Sequence, residues 1–92
     1  MSQPIYILKG TEEAAGTGSG TASNVGSARI VRCVNTATDA AHLVTLEESG
    51  GTDIGTFTLA PMETVLIRKD ATDKIFAANA DVKLTAVGIY QG

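Results

Sequence analysis

The sequence contains one cysteine, Cys33, and one histidine, His42. A cysteine nucleophile needs a neighbouring base and a group that stabilises the oxyanion. Here the two residues would have to meet across separate predicted strands, and no third polar group completes the arrangement. Two such ligands are also too few for a structural zinc site. We therefore expect Cys33 to be a small buried apolar residue, and we assign no catalytic residue and no metal ligand.

Three acidic side chains, Glu47, Glu48 and Asp53, flank the Gly50-Gly51 turn. A pair of carboxyl groups can hydrolyse a glycosidic bond when the two groups face each other across the substrate. Residues at an exposed turn are ordinarily only solvated, and we prefer that interpretation.

Two other stretches have spacings that suggest ligand binding. Asp70 and Asp73 could supply oxygen ligands to calcium, but they do not follow the EF-hand pattern. A turn rich in Asp and Thr also forms through local hydrogen bonds alone. The stretch from Gly16 to Gly20 is similar to a phosphate loop, yet Thr21 stands where the last glycine of the dinucleotide-binding pattern belongs, and no Gly-Lys-Ser follows. We interpret the two stretches as a turn and a linker, and we predict no cofactor.

Three arginines, Arg29, Arg32 and Arg68, could lie on one rim of the fold. Guanidinium groups bind carboxylates through paired hydrogen bonds, so these residues are candidates for holding a carboxylate-bearing partner. Charged strand ends explain them equally well. The other candidate partner-binding residues are the four of an apolar stretch near the start of the chain, Ile5, Tyr6, Ile7 and Leu8.

The elements that position these residues are short and strand-like. Turn signals recur about every 8 to 12 residues along the second half of the chain, which is typical of an antiparallel sandwich or barrel. We predict an all-β fold, a small antiparallel β-sandwich (Ig-like or jelly-roll-like) of six or seven strands. The predicted strands are Ile5–Leu8, Ala28–Asn35, His42–Glu47, Ile54–Leu59, Glu63–Lys69 and Val82–Tyr90, with Lys74–Ala77 as an apolar segment that plugs one end of the core.

The chain divides by composition near residue 27. Residues 1–27 are predicted to form an N-terminal strand or arm and a Gly/Ser-rich linker, and residues 28–92 the β-sandwich domain. Thr11–Ala15 is compatible with one helical turn capped by Thr11. The apolar cluster Val65–Ile67 is predicted to be the centre of the core.

Length and charge exclude several classes of function. A chain of 92 residues has room for one domain. Its 7 basic and 10 acidic residues are scattered, which argues against phosphate binding and therefore against a nucleic-acid partner. No apolar run approaches the ~20 residues that span a bilayer, so we expect no membrane partner. The first residues lack a signal-peptide pattern, and we expect synthesis in a cytoplasm without export by a secretory route.

Five stretches of the second half share an order with a known group of proteins. They are Phe57–Val65, Ile67–Lys69, Thr72–Ala77, Ala80–Lys83 and Val87–Tyr90. Their order resembles that of small β-sandwich virion proteins of tailed bacteriophages, particularly marine and cyanobacterial ones. In those proteins a strand, a Pro-Gly-Glu-like turn, a strand ending in Lys, an apolar plug and a closing strand recur. Here Met62 stands at the position of the turn glycine.

The resemblance implies a capsid decoration, or cement, protein on the outer surface of the phage head. The implied partner is the major capsid protein, and the implied state is a homo-oligomer, with a trimer favoured. No enzymatic activity is implied. We expect Ile5–Leu8 and the Gly-rich segment to form an arm that packs on a neighbour, because an edge strand invites pairing. The alternatives are a tail, neck or fibre component, a host-surface binding module, which would need exposed aromatic residues, or an enzyme, which would need a convergent polar site.

Overall fold

A computed structural model describes residues 5–90, and the side chains of residues 5–88. Eight strands and one short 3-10 turn, Ser19–Thr21, make up its regular structure. The strands are β1 (Ile5–Leu8), β2 (Glu13–Ala14), β3 (Ile30–Asn35), β4 (His42–Glu47), β5 (Asp53–Leu59), β6 (Thr64–Arg68), β7 (Lys74–Ala77) and β8 (Val82–Tyr90).

The strands form two antiparallel sheets. One sheet has the order β1-β8-β3-β6, with β2 also paired to β8, and the other has the order β5-β4-β7. Within the second sheet β4 and β5 form a hairpin around the predicted glycine turn. Every other connection from β3 onward crosses between the sheets. The prediction of a small all-β sandwich is therefore confirmed, with two additions: the segment predicted as a plug is a strand, β7, and β2 is a further short strand.

The core lies between the sheets and takes one side chain in two from the central strands. Fully buried apolar residues are Val31, Cys33, Val44, Leu59, Ile75, Ala77, Val82 and Leu84. The prediction that Val65–Ile67 forms the centre of the core is wrong. These three residues are only half-buried, because β6 is an edge strand of its sheet.

The segment between β1 and β3 is built into both sheets. The helical turn predicted for Thr11–Ala15 is wrong, since its residues Glu13 and Ala14 pair with β8 as β2. The carbonyl oxygen of Gly16 then accepts a hydrogen bond from the backbone N–H of Ala77 at 2.9 Å, on the other sheet.

Further along the same segment, Ser23 exchanges two backbone hydrogen bonds with Ile75, at 2.8 and 3.0 Å, and Val25 lies in the core. This part of the chain is therefore packed against both sheets and is not a flexible linker. Its contacts cross the domain boundary predicted at residue 27. The first four residues of the predicted arm lie outside the described range.

The longest strand, β8, extends past its neighbour. Its residues Val82–Ala86 pair with β3, whereas Val87–Tyr90 pair only with β1 among the described residues. Residues Ile5–Leu8 and Val87–Tyr90 therefore form a two-stranded extension of the sheet, which we call the β1–β8 ribbon.

Candidate partner-binding surfaces

All four apolar side chains of β1 are exposed. Their exposed fractions are 62% for Ile5, 39% for Tyr6, 42% for Ile7 and 74% for Leu8. Successive side chains of a strand point to opposite faces of the sheet. Exposure at four consecutive positions therefore means that neither face of β1 is fully covered by the rest of the described chain.

The position of β1 in the β1–β8 ribbon explains this exposure. The strand pairs with the part of β8 that has already passed the end of β3. Its outer edge carries no partner strand among the described residues. Natural edge strands are usually protected by charge, proline or a bulge, but Ile5–Leu8 contains no charged residue and no proline. A two-stranded ribbon is only marginally stable in water by itself. An apolar, unprotected edge of this kind is suited to pairing and packing with another chain.

The structure brings two of the three candidate arginines together. Arg29 and Arg68 line one cavity of about 500 Å³, because Ile30 lies opposite Arg68 in the register of β3 and β6. The third, Arg32, lies two residues further along β3, and its guanidinium Nη1 is 3.7 Å from Glu12 Oε2. Of the three arginines that were candidates for one rim, only Arg29 and Arg68 lie together.

A third cation in this cavity, Lys69, was not among the candidates. Its backbone N–H donates to the carbonyl oxygen of Arg29 at 2.9 Å, which continues the β3–β6 pairing by one residue. Lys69 as a residue is buried, and its part-buried ammonium donates to the carbonyl oxygen of Asp70 at 3.1 Å. Burial lowers the pKa of Lys69 and nearby Arg29 adds to this effect, while Asp73 and Asp70 oppose it. The sequence signal, a lysine directly after Arg68, becomes meaningful only once the register is known.

The turn that follows Lys69 holds the two aspartates considered above as calcium ligands. Asp73 Oδ2 accepts a hydrogen bond from the backbone N–H of Asp70 at 3.2 Å, and the backbone N–H of Asp73 donates to the Asp70 carbonyl at 3.1 Å. These are the local hydrogen bonds expected of such a turn. Among the described residues there is no cluster of three or more His, Cys, Asp or Glu side chains able to hold a metal ion.

Cys33 and His42 belong to different sheets. Cys33 faces the core from β3, and its burial raises the pKa of the thiol to about 12. The thiol is therefore protonated at neutral pH and is a poor nucleophile, which confirms the expectation of a buried apolar role. His42 opens β4, and its Nε2 atom is buried without a hydrogen-bond partner among the described residues.

One acidic residue of the glycine turn has a structural role that the sequence did not suggest. Glu47 is buried at the end of β4, and both of its carboxylate oxygens accept from Ser19 Oγ, at 3.1 and 3.0 Å. The interpretation of this residue as solvated is wrong, whereas Glu48 and Asp53 are exposed. The contact fixes the 3-10 turn at Ser19 against the second sheet.

Residues 5–90 include no helix with the length and apolar character required to cross a bilayer. Comparison of the whole chain with protein-family models, with curated protein sequences and with solved structures gives no match.

Proposed function

We propose that this protein is a structural subunit that binds neighbouring subunits of a larger assembly through the β1–β8 ribbon. The assembly is a bacteriophage head, and the protein acts as a decoration protein on the outer surface of the major capsid protein. In this role it adds stability to the shell by covering and clamping its neighbours, as a homo-oligomer in which a trimer is favoured.

The observation that carries the proposal is the exposure of four consecutive apolar side chains on the unprotected edge strand β1. Such a strand is unfavourable as long as the domain is alone in water, because its apolar surface stays exposed to solvent. The strand becomes favourable when a partner covers it and supplies backbone hydrogen bonds to its edge. Repetition of a weak contact over many copies in one shell then gives a tight overall attachment.

The choice of a phage head rests on the resemblance of the second half of the sequence. The stretch Phe57–Val65 carries its most distinctive part, a strand, a proline turn and a following strand. In the structure these residues are the end of β5, the turn at Pro61 and the first part of β6, and the turn carries the chain from one sheet to the other. The strand, turn and strand of the resemblance have counterparts here, whereas its apolar plug is the strand β7.

The direct test is the number of copies in purified phage particles that carry the gene for this chain. Quantitative mass spectrometry would give the molar ratio of this protein to the major capsid protein. We expect a ratio that corresponds to hundreds of copies per particle. A handful of copies would assign the protein instead to the tail, neck or fibre, and absence from the particle would overturn the virion function altogether.

A matched pair of variants tests the ribbon itself. Leu8→Lys places a charge on β1, and Leu43→Lys places the same charge at another exposed leucine, 45% exposed, on β4. Full burial of a leucine side chain is worth about 1.5–3 kcal/mol, so Leu8→Lys should weaken binding to undecorated capsids by about 10- to 100-fold. Leu43→Lys should bind like the parent protein. Equal binding of both variants would show that the ribbon is not the contact surface.

A further inference from the structure

The cavity that contains Arg29 and Arg68 is formed by both sheets. Arg29 and Arg68 come from the β3–β6 side, and Leu46 and Ile54 from the β4–β5 hairpin. The volume of about 500 Å³ is within the range of sites that hold small ligands or the end of a peptide. Because β6 and β1 are opposite edges of the same sheet, this site is separate from the β1–β8 ribbon.

The charges around the cavity do not neutralise one another. Three cations, Arg29, Arg68 and Lys69, face two carboxylates, Asp70 and Asp73. In the part of the chain whose side chains are described, neither arginine has a carboxylate within the 4.0 Å limit of an ion pair, and neither guanidinium donates a hydrogen bond to protein. Guanidinium groups that line a concave site without protein acceptors are available to a ligand.

Of the three other charged groups of the cavity, Lys69 and Asp73 are already engaged in hydrogen bonds. Asp73 accepts from the backbone N–H of Asp70, and the Lys69 ammonium donates to the carbonyl oxygens of Asp70 and Ala71, at 3.1 and 3.5 Å. These contacts hold Asp73 and Lys69 in the turn, whereas the Asp70 carboxylate is exposed and makes no hydrogen bond to another described residue. The ligand-facing donors are therefore the two arginines, and the formal charge of the five groups together is one positive unit.

The opposite wall is apolar. Leu46 is half-buried and Ile54 is exposed, and both line the same cavity. A ligand that makes favourable contacts with both walls carries an anionic group at one end and a hydrocarbon group at the other. A single positive charge is matched by a carboxylate, which carries one negative charge, more closely than by a phosphate with nearly two. The planar carboxylate also fits the paired donors of a guanidinium.

We propose that this cavity binds a monocarboxylate attached to an aliphatic group, held by Arg29 and Arg68 and contacted by Leu46 and Ile54. Two sources share this chemistry, the C-terminal residue of a partner polypeptide and a small free acid. The proposal does not depend on the β1–β8 ribbon or on the virion function, and it can fail while both of those hold.

The test is a titration of the isotopically labelled full chain, followed by the backbone amide signals of Leu46, Ile54 and Lys69 in nuclear magnetic resonance spectra. The probes are N-acetyl-leucine, its neutral carboxamide, acetate and inorganic phosphate. We expect N-acetyl-leucine to shift these signals with saturation, and each of the other three to bind at least about fivefold more weakly. Equal or tighter binding of the carboxamide, acetate or phosphate would overturn the assignment.

Further measurements test which arginines bind the carboxylate and what kind of molecule supplies it. Arg29→Gln combined with Arg68→Gln should weaken N-acetyl-leucine binding by about tenfold, and Arg32→Gln is the matched control because Arg32 is paired with Glu12 outside the cavity. If Arg32→Gln weakens binding as much as the double variant, this cavity is not the binding site.

The source of the ligand is identified with two further probes, a tripeptide ending in leucine and 4-methylpentanoate. Tighter binding of the peptide supports a polypeptide C-terminus, and tighter binding of the acid supports a small metabolite. The same spectra show whether each variant is folded, because a folded variant keeps the amide dispersion of the wild-type protein.

Discussion

The side-chain amide of Asn35, on β3, donates a hydrogen bond of 3.1 Å to the carbonyl oxygen of Leu59, on β5. A fully buried polar group thus joins the two sheets of the sandwich. The same amide donates to the carbonyl oxygen of Ala40 at 2.8 Å, and Oδ1 accepts from the backbone N–H of Ala37 at 3.0 Å. One side chain therefore holds the connection between β3 and β4 at two points.

Asn35→Ala should be among the most destabilising single substitutions in the chain. It leaves two carbonyl oxygens and one N–H without their partner in a buried region, and we expect a loss of at least about 2 kcal/mol in the free energy of unfolding. Urea denaturation followed by circular dichroism measures the change. The control is Asn24→Ala, which removes a single hydrogen bond at an exposed turn. Similar losses in the two variants would contradict the proposed role of Asn35.

Met62 occupies a backbone conformation that suits glycine. Its φ is +62°, at the third position of the turn closed by the 3.0 Å hydrogen bond from Glu63 N–H to the Ala60 carbonyl. Proline at the second position and positive φ at the third are the features of a type II turn. Met62→Gly should raise the free energy of unfolding by about 0.5–1 kcal/mol, since it removes the left-handed strain while the lost side chain is 63% exposed.

Met62→Ala is the matched control for this prediction. Alanine also loses the exposed side chain but keeps the strained conformation, so its stability should stay close to that of the parent protein. Thermal unfolding of the three proteins under one condition gives the comparison. An alanine variant as stable as the glycine variant would show that side-chain removal, and not backbone strain, is responsible.

Gly16 is required by a close approach of the backbone. A Cβ atom at this position would overlap the carbonyl group of Thr21. We expect Gly16→Ala to cost about 1–3 kcal/mol, because backbone atoms must move to make room. Gly20→Ala, in the same segment, meets no atom within 4 Å and should be nearly neutral. Chemical denaturation gives the free energy of unfolding of both variants. If Gly16→Ala leaves it unchanged, the backbone around Thr21 moves aside without cost and the close approach does not require glycine.

Cys33 should make the protein less stable at high pH. The free thiol ionises near pH 9, whereas burial raises the pKa of the folded thiol to about 12. Between these values the unfolded chain binds fewer protons than the folded chain. The Cys33 contribution to the free energy of unfolding should therefore fall by about 1.4 kcal/mol per pH unit above pH 9.

The lowered pKa of Lys69 acts in the opposite direction, because the folded chain then releases its proton first and gains stability as pH rises. For that reason the test compares the parent protein with Cys33→Ala, in which the lysine effect is unchanged. The difference in unfolding free energy between the two, measured from pH 8 to pH 11, should be constant at first and then shrink. A difference that does not vary with pH would contradict the burial of the thiol.

Several strands follow directly from the sequence. The predicted bounds of β1, β4 and β8 are those of the structure, and β7 occupies the predicted apolar segment. Alternating side chains between glycine, proline and aspartate turns give these strands a local signal. The two residues of β2 are too few to show a period, so this strand could not be predicted.

Other features depend on tertiary structure that leaves no local pattern. The segment from Gly16 is held by backbone hydrogen bonds and a single core residue, Val25, and its small polar residues look like a linker. The cluster Val65–Ile67 is as apolar as a central strand, but its position at a sheet edge is set by pairing. Likewise Arg29 and Lys69 become neighbours only through the register of β3 and β6.

The pairing of Ile5 with Tyr90 places the point where the chain enters β1 next to the point where it leaves β8. A bulky label attached at either of these two residues would thus lie beside the same ribbon and obstruct whatever docks there. The exposed Gly50-Gly51 turn of the β4–β5 hairpin offers a better place to insert cargo for surface display.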